Sequence, residues 1–250
     1  MSTNNALSVF FNDPAEKQWT SPFEGRGITL PAMYKAFKLD GTLSVEFLET
    51  GSTNSGDVSR SKKNHVVFQI PFEHPYTMQR NGAPVQAYAA RVAMDLAYAD
   101  DSLGNIDKAR LEAPFKQGIF DDFYPGILNV RILLYAGKSN ATNKMVSFPG
   151  LTMDTLGDFV DFVKNQGLHE MLFVGYGNAW KGCRHFISQT YLQLREHGAI
   201  SAEDEDGDTL KNSIIKVHHR DSSSHDKLVD RGSFLTYDAI YPSDFSDAYE

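Results

Sequence analysis

A single cysteine in 250 residues, Cys183, leaves no second thiol for an intrachain disulfide or a multi-cysteine zinc site, and it suits a reducing compartment. Positive charge is also scarce. Lys and Arg number 24 against 32 Asp and Glu, and the resulting formal charge of −8 repels phosphate backbones and anionic lipid. No stretch reaches the roughly 20 apolar residues that a bilayer span needs. Met1 to Asn12 has neither the basic start nor the apolar core of a signal peptide. The expectation is a cytoplasmic protein with a small-molecule substrate, no nucleic-acid partner and no membrane span.

What remains is ordinary for a folded chain: 41% apolar and 22% charged residues are enough to build and solubilise a core. Residues 1–27 are polar and turn-rich and read as an arm, and 28–250 as one domain. Leu43 to Leu48 alternates as a half-buried strand, Thr50 to Lys63 is a polar loop, and His65 to Ile70 is a strand that Pro71 and Pro75 end. The Ala-rich run from Tyr88 to Tyr98 reads as a buried helix. No structure is assigned to Asp100 to Gly126. Leu128 to Tyr135 reads as a strand, and Thr152 caps a helix with Met153, Leu156, Phe159, Val160 and Val163 on one face. A short strand, Met171 to Val174, precedes a glycine-rich turn from Gly175 to Gly182 and a helix from Cys183 to His197. Ile214 to His218 reads as a late strand. The pattern predicts an α+β fold, an antiparallel sheet packed against a cysteine-bearing helix.

Several phosphate and metal motifs fail on inspection. Gly137-Lys138-Ser139 follows a strand, but Ile132 stands where a triphosphate-binding loop needs glycine, and Trp180 replaces the third glycine of a dinucleotide fingerprint begun by Gly175 and Gly177. Around Asp204 and Asp206, Ala202 and Ser213 occupy the first and last ligand positions of a calcium loop. His218, His219, Asp221, His225 and Asp226 match no zinc spacing. Neither a metal nor a cofactor is expected.

Cys183 is different because it follows Gly182 at a helix start, where unpaired N–H groups and the helix dipole favour a thiolate. It also lies on the stripe of Ile187 and Leu194, so the alternative is a small buried apolar group. A nucleophilic thiol needs a base, and His65 is the candidate because it opens a strand whose Val67 and Gln69 share its face. Tyr176, Trp180 and Gln69 are candidate substrate contacts, with core packing as the competing reading of the two aromatics.

His-Val-Val-Phe-Gln-Ile at 65–70 and Gly-Cys-Arg-His-Phe-Ile at 182–187 are similar to the His-aromatic-Gly-Ile-Tyr and Asn-Cys-Glu-His-Phe blocks of circularly permuted papain-fold enzymes, the lecithin:retinol acyltransferase-like group. The segment Thr152 to Ile200 also resembles an uncharacterised domain of filamentous fungi with a Gly-Cys-Arg-aromatic motif. The resemblance implies a permuted papain-like fold and acyl transfer or amide/ester hydrolysis by Cys183 and His65, in fungal secondary metabolism. The chain departs from it at Gly182, where asparagine is usual, and no third polar residue follows His65 at the expected distance; His74 is set between two prolines. The competing functions are a non-catalytic binding or scaffold protein on the same fold, and a cyclase or isomerase in which Cys183 is incidental.

Overall fold

The computed structural model describes residues 6–8, 32–50, 63–80, 83–96, 123–176, 179–204, 209–234 and 237–249. Its strands are β1 (Ala6–Ser8), β2 (Thr42–Thr50), β3 (Lys63–Arg80), β4 (Ala83–Leu96), β5 (Phe123–Leu133), β6 (Thr142–Pro149), β7 (Met171–Tyr176), β8 (Ala179–Lys181), β9 (Lys216–His218), β10 (Ser224–Asp226) and β11 (Ser233–Phe234). Its helices are α1 (Ala32–Lys35), α2 (Leu156–Asn165), α3 (Cys183–Glu196) and α4 (Leu210–Ile214), with a 3-10 turn at Ser246–Ala248. Nine strands form one antiparallel sheet in the order β11-β7-β5-β4-β3-β2-β6, with β1 also on β5 and β8 also on β7. The fold is α+β, with α3 packed on β3 and β4.

Alternation along the central strands separates two faces. Val45, Phe47, Val66, Phe68, Ile70, Val92, Met94, Val130 and Ile132 enter the main core with Phe159, Phe186, Ile187 and Tyr191 of the helices. Phe68 meets the rings of Phe159 and Phe186 edge-on, at 5.8 and 6.2 Å between centroids. The opposite face carries Glu46, His65, Gln69, Arg91, Asp95, Asn129 and Arg131, the intervening positions of the same strands.

Three expectations are corrected here. The run expected as a helix from Tyr88 to Tyr98 is strand as far as it is described: Ala83–Leu96 is a central strand between β3 and β5. Ala87, Ala90, Val92 and Met94 are fully buried on one face, and Ala89 and Ala93 are buried on the other. A strand covered on both sides reads as a continuous apolar run, and alanine disguises it as a helix. Pro71 and Pro75 do not end β3, which is 18 residues long; the ladder to β4 shifts register between Pro71 and Tyr76 and resumes. A bulge takes up the prolines that cannot donate to a ladder. Ile214 to His218 is divided between the end of α4 and β9, which pairs with β10 outside the main sheet.

Helix α2 begins one turn later than expected. Thr155, not Thr152, is the cap: its hydroxyl accepts from the Asp158 amide and its own amide donates to Asp158 Oδ2 at 3.0 Å, a reciprocal capping box. Strand β6, absent from the sequence reading, closes the sheet along β2. The arm over residues 1–27 falls outside the described residues except for β1, which pairs along β5. Thr155→Ala is expected to lower unfolding free energy by about 1 kcal/mol, read from urea denaturation. The reactivity of Cys183 should be unchanged, because the cap lies on a different helix.

Candidate active site

Helix α3 starts at a glycine for a steric reason. Gly182 has φ +148°, and a Cβ there would lie 2.6 Å from Met171 Cε and 3.2 Å from Phe173 Cδ1 on β7. The helix start is therefore pressed onto the sheet. The first bond of the helix runs from the Phe186 amide to the Gly182 carbonyl at 3.0 Å, so the amides of Cys183, Arg184 and His185 have no partner within the helix.

The base is delivered by the end of a ladder. Pairing between β3 and β4 starts at Phe68↔Val92 and runs toward the hairpin, so His65 and Asp95 lie three residues beyond it, on the same face. His65 Nε2 is 2.9 Å from Asp95 Oδ1, and the Cys183 thiol is close enough to the His65 ring to act on its pKa. Asp95 Oδ2 accepts from Asn129 Nδ2 at 2.8 Å. Sequence reading paired Cys183 with His65 but missed Asp95, the group that orients the histidine, and Asn129, which holds Asp95. Both side chains of the His65–Asp95 pair are about 28–29% exposed, and Cys183 is half-buried.

The charges are ordered to favour an ion pair. Burial would lower the His65 pKa, but hydrogen bonding to Asp95, then to Cys183, and their negative charges push it up to about 10. Burial would raise Asp95, but the hydrogen bond and charge of His65, the Asn129 amide and the charge of Arg131 bring it down to about 2. Burial would also raise the thiol; the hydrogen bond and charge of His65, a backbone hydrogen bond from Val66 and the charge of Arg184 hold it below its ordinary value. All three shifts favour the charged forms, so the arrangement favours a thiolate beside an imidazolium.

Arg184 explains part of the Gly-Cys-Arg sequence. Its guanidinium is buried under the helix start and donates to the Ile214 carbonyl at 2.7 Å, which keeps a cation close to the sulfur. His185 is no rival base. Its Nδ1 accepts from the Gly232 amide at 2.9 Å, it packs against Phe234 and Tyr249, and burial pushes its pKa down to about 4.

Of the three expected substrate contacts, Trp180 and Tyr176 lie on the β7–β8 hairpin that feeds Gly182, at the pairs Gly175↔Trp180 and Tyr176↔Ala179; their side chains are outside the described residues. Gln69 shares the His65 face four residues farther along β3. Its Nε2 donates to the Gly137 carbonyl at 2.9 Å, which braces the turn before β6 instead of meeting the thiol. Among the described residues no three His, Cys, Asp or Glu side chains converge as metal ligands, and no helix is long and apolar enough to cross a membrane.

The pH dependence follows from the signs. The raised pKa of His65 contributes stability that is fully present below 6.5 and lost as pH rises through about 10; the lowered pKa of Asp95 contributes stability present above 3.8 and lost as pH falls through about 2. Asp95→Asn removes the charge that supports the imidazolium, so the thiol loses its partner at lower pH. The pH at which iodoacetamide alkylation of Cys183 reaches half its maximal rate should lie below 9.0 in the wild type and move upward in Asp95→Asn. An unchanged midpoint would separate Asp95 from the thiol chemistry.

No curated protein and no solved structure matches the chain. A family model does match, over residues 110–235, a span that holds Asn129, Gly182, Cys183 and Arg184 but begins after β4, so that His65 and Asp95 precede it. On that match the chain belongs to the family described as Domain of unknown function (DUF7770).

Proposed function

We propose that this protein is a thiol enzyme that transfers an acyl group, or hydrolyses an amide or ester, on a small molecule, with a permuted papain-like arrangement of its histidine strand and cysteine helix. The observation that carries the reading is the Cys183–His65–Asp95 constellation, whose three pKa values move in the directions that an ion-paired nucleophile requires. A merely buried cysteine needs neither an imidazolium nor a carboxylate behind it.

In the proposed cycle the Cys183 thiolate attacks the substrate carbonyl carbon, and the carbonyl electrons move onto oxygen. The amides at the start of α3 that have no partner within the helix, that of Cys183 first, donate to the resulting oxyanion. The tetrahedral species collapses, the carbon–leaving-group bond breaks, and the His65 imidazolium protonates the departing amine or alkoxide. A thioester and a neutral imidazole remain. His65 then takes a proton from water or an acceptor nucleophile, which attacks the thioester and releases Cys183 as thiolate. Asp95 holds the ring in one orientation and supports its positive charge in both protonated stages.

The test uses p-nitrophenyl esters of short carboxylic acids as generic acyl donors. Intact-mass measurement should find one acyl group on Cys183 after brief exposure. Cys183→Ala should lose the adduct, and His65→Ala should slow acylation by on the order of 10²–10⁴-fold. A folded wild-type protein that acquires no acyl group on Cys183 would overturn the reading.

A further inference from the structure

Among the described residues, Arg131 has no partner beside this site. It lies on β5 directly across from Arg91 of β4, two residues from Asn129 on the face that bears His65 and Asp95. Like charges set opposite each other in a sheet repel, and a half-buried guanidinium costs free energy unless it is paired. Arg91 has a partner: its Nη2 is 2.7 Å from Glu46 Oε2, and Glu46 is fully buried. Arg184 is satisfied by carbonyls, Arg195 by Asp244 at 2.6 Å and Arg220 by Glu49 at 3.0 Å. Arg131 is half-buried and has no hydrogen bond or ion pair among the described residues, in a chain with an excess of acid.

The acid on which its charge acts, Asp95, is already engaged. Asp95 gives one oxygen to His65 and the other to Asn129, and among the described residues Arg131 makes no bond to it. The charge of Arg131 nevertheless reaches Asp95 and lowers its pKa, which sets the guanidinium within electrostatic range of the reacting groups. A planar, bidentate donor with no bonded acceptor among the described residues is suited to a carboxylate.

We infer that Arg131 binds a carboxylate carried by the substrate, so that the acyl donor or acceptor of the Cys183 site is a carboxylate-bearing molecule such as an acylated amino acid. The inference rests on the proposed thiol chemistry and adds the substrate class to it. The carboxylate docks on Arg131, and the scissile carbonyl lies a few bonds away at the sulfur. Charge on the ligand then does the work of positioning.

The experiment compares two pairs of alkylating probes: N-iodoacetylglycine with N-iodoacetylglycinamide, and N-iodoacetyl-β-alanine with its primary amide. In each the Cys183 thiolate attacks the CH₂ carbon, the carbon–iodine bond breaks and iodide leaves, so the members of a pair differ only in the charge at the far end. Taking the acid-to-amide rate ratio cancels any change in thiol nucleophilicity. Relative to the ratio for free cysteine, the wild-type ratio should be raised by about tenfold or more for at least one arm length and should fall as salt is added. Arg131→Gln should return it to the free-cysteine value, and Arg131→Lys should retain part of it, with thermal melts reporting the fold of both.

A wild-type ratio equal to that of free cysteine at both arm lengths overturns the assignment of Arg131 while leaving the thiol chemistry standing. A raised ratio that survives in a folded Arg131→Gln variant does the same. A thiol inert to all four probes removes the proposed function, and this inference with it.

Discussion

The site depends on where the β3–β4 ladder stops. While two strands pair, their backbone amides are consumed and cross-strand side chains are held at fixed spacing. Past Phe68↔Val92 that pairing ends, and the Val66 backbone and the His65 ring come close enough to the Cys183 sulfur to act on its pKa, with Asp95 Oδ1 2.9 Å from the ring. Asn129, from the next strand, fixes the carboxylate from behind. Had the ladder continued, the sulfur would have had to compete with β4 for the same ground. The polar row on one sheet face and the helix start on the other can communicate because the strands between them stop pairing.

Two glycine–arginine features keep the sulfur at that place. Gly182 allows the helix to begin hard against Met171 and Phe173, and any side chain there would meet β7. The asparagine usual at this position in the enzymes the sequence resembles would face the same obstruction, so the departure at Gly182 belongs to the packing of this chain. Arg184 turns under the helix and ties it to the Ile214 carbonyl. Farther along, Gln189 exchanges hydrogen bonds with Tyr237, Ile240 and Tyr249, so the last described residues strap α3 onto the sheet. The helix that carries Cys183 is held at its start and near its middle.

The sequence made Cys183 and His65 legible because each stands at the start of an element with a clear pattern: a glycine before a helix, and an alternating strand. Asp95 was hidden twice. Its strand is covered on both faces and rich in alanine, so periodicity alone did not distinguish it from a helix. Arg80 pairs with Ala83 across Asn81-Gly82, a dipeptide that favours hairpin turns. Even so, counting back symmetrically from that turn sets His65 opposite Tyr98. The register shift between Pro71 and Tyr76 moves the partner by three residues to Asp95 and switches the face that each side chain occupies. The two prolines that argued for the end of a strand are inside the irregularity that builds the site.

The central claim is that His65 is an imidazolium held between a thiolate and a carboxylate. Nitrogen-15 NMR of the histidine side chains reads this directly, since a ring protonated on both nitrogens has a different pair of shifts from either neutral tautomer. The account predicts that His65 is doubly protonated at neutral pH, gives up its proton only near 10, and falls back toward an ordinary histidine when Cys183 is replaced by serine. A neutral His65 titrating near 6.5 in the wild type, unaffected by Cys183→Ser, would contradict it.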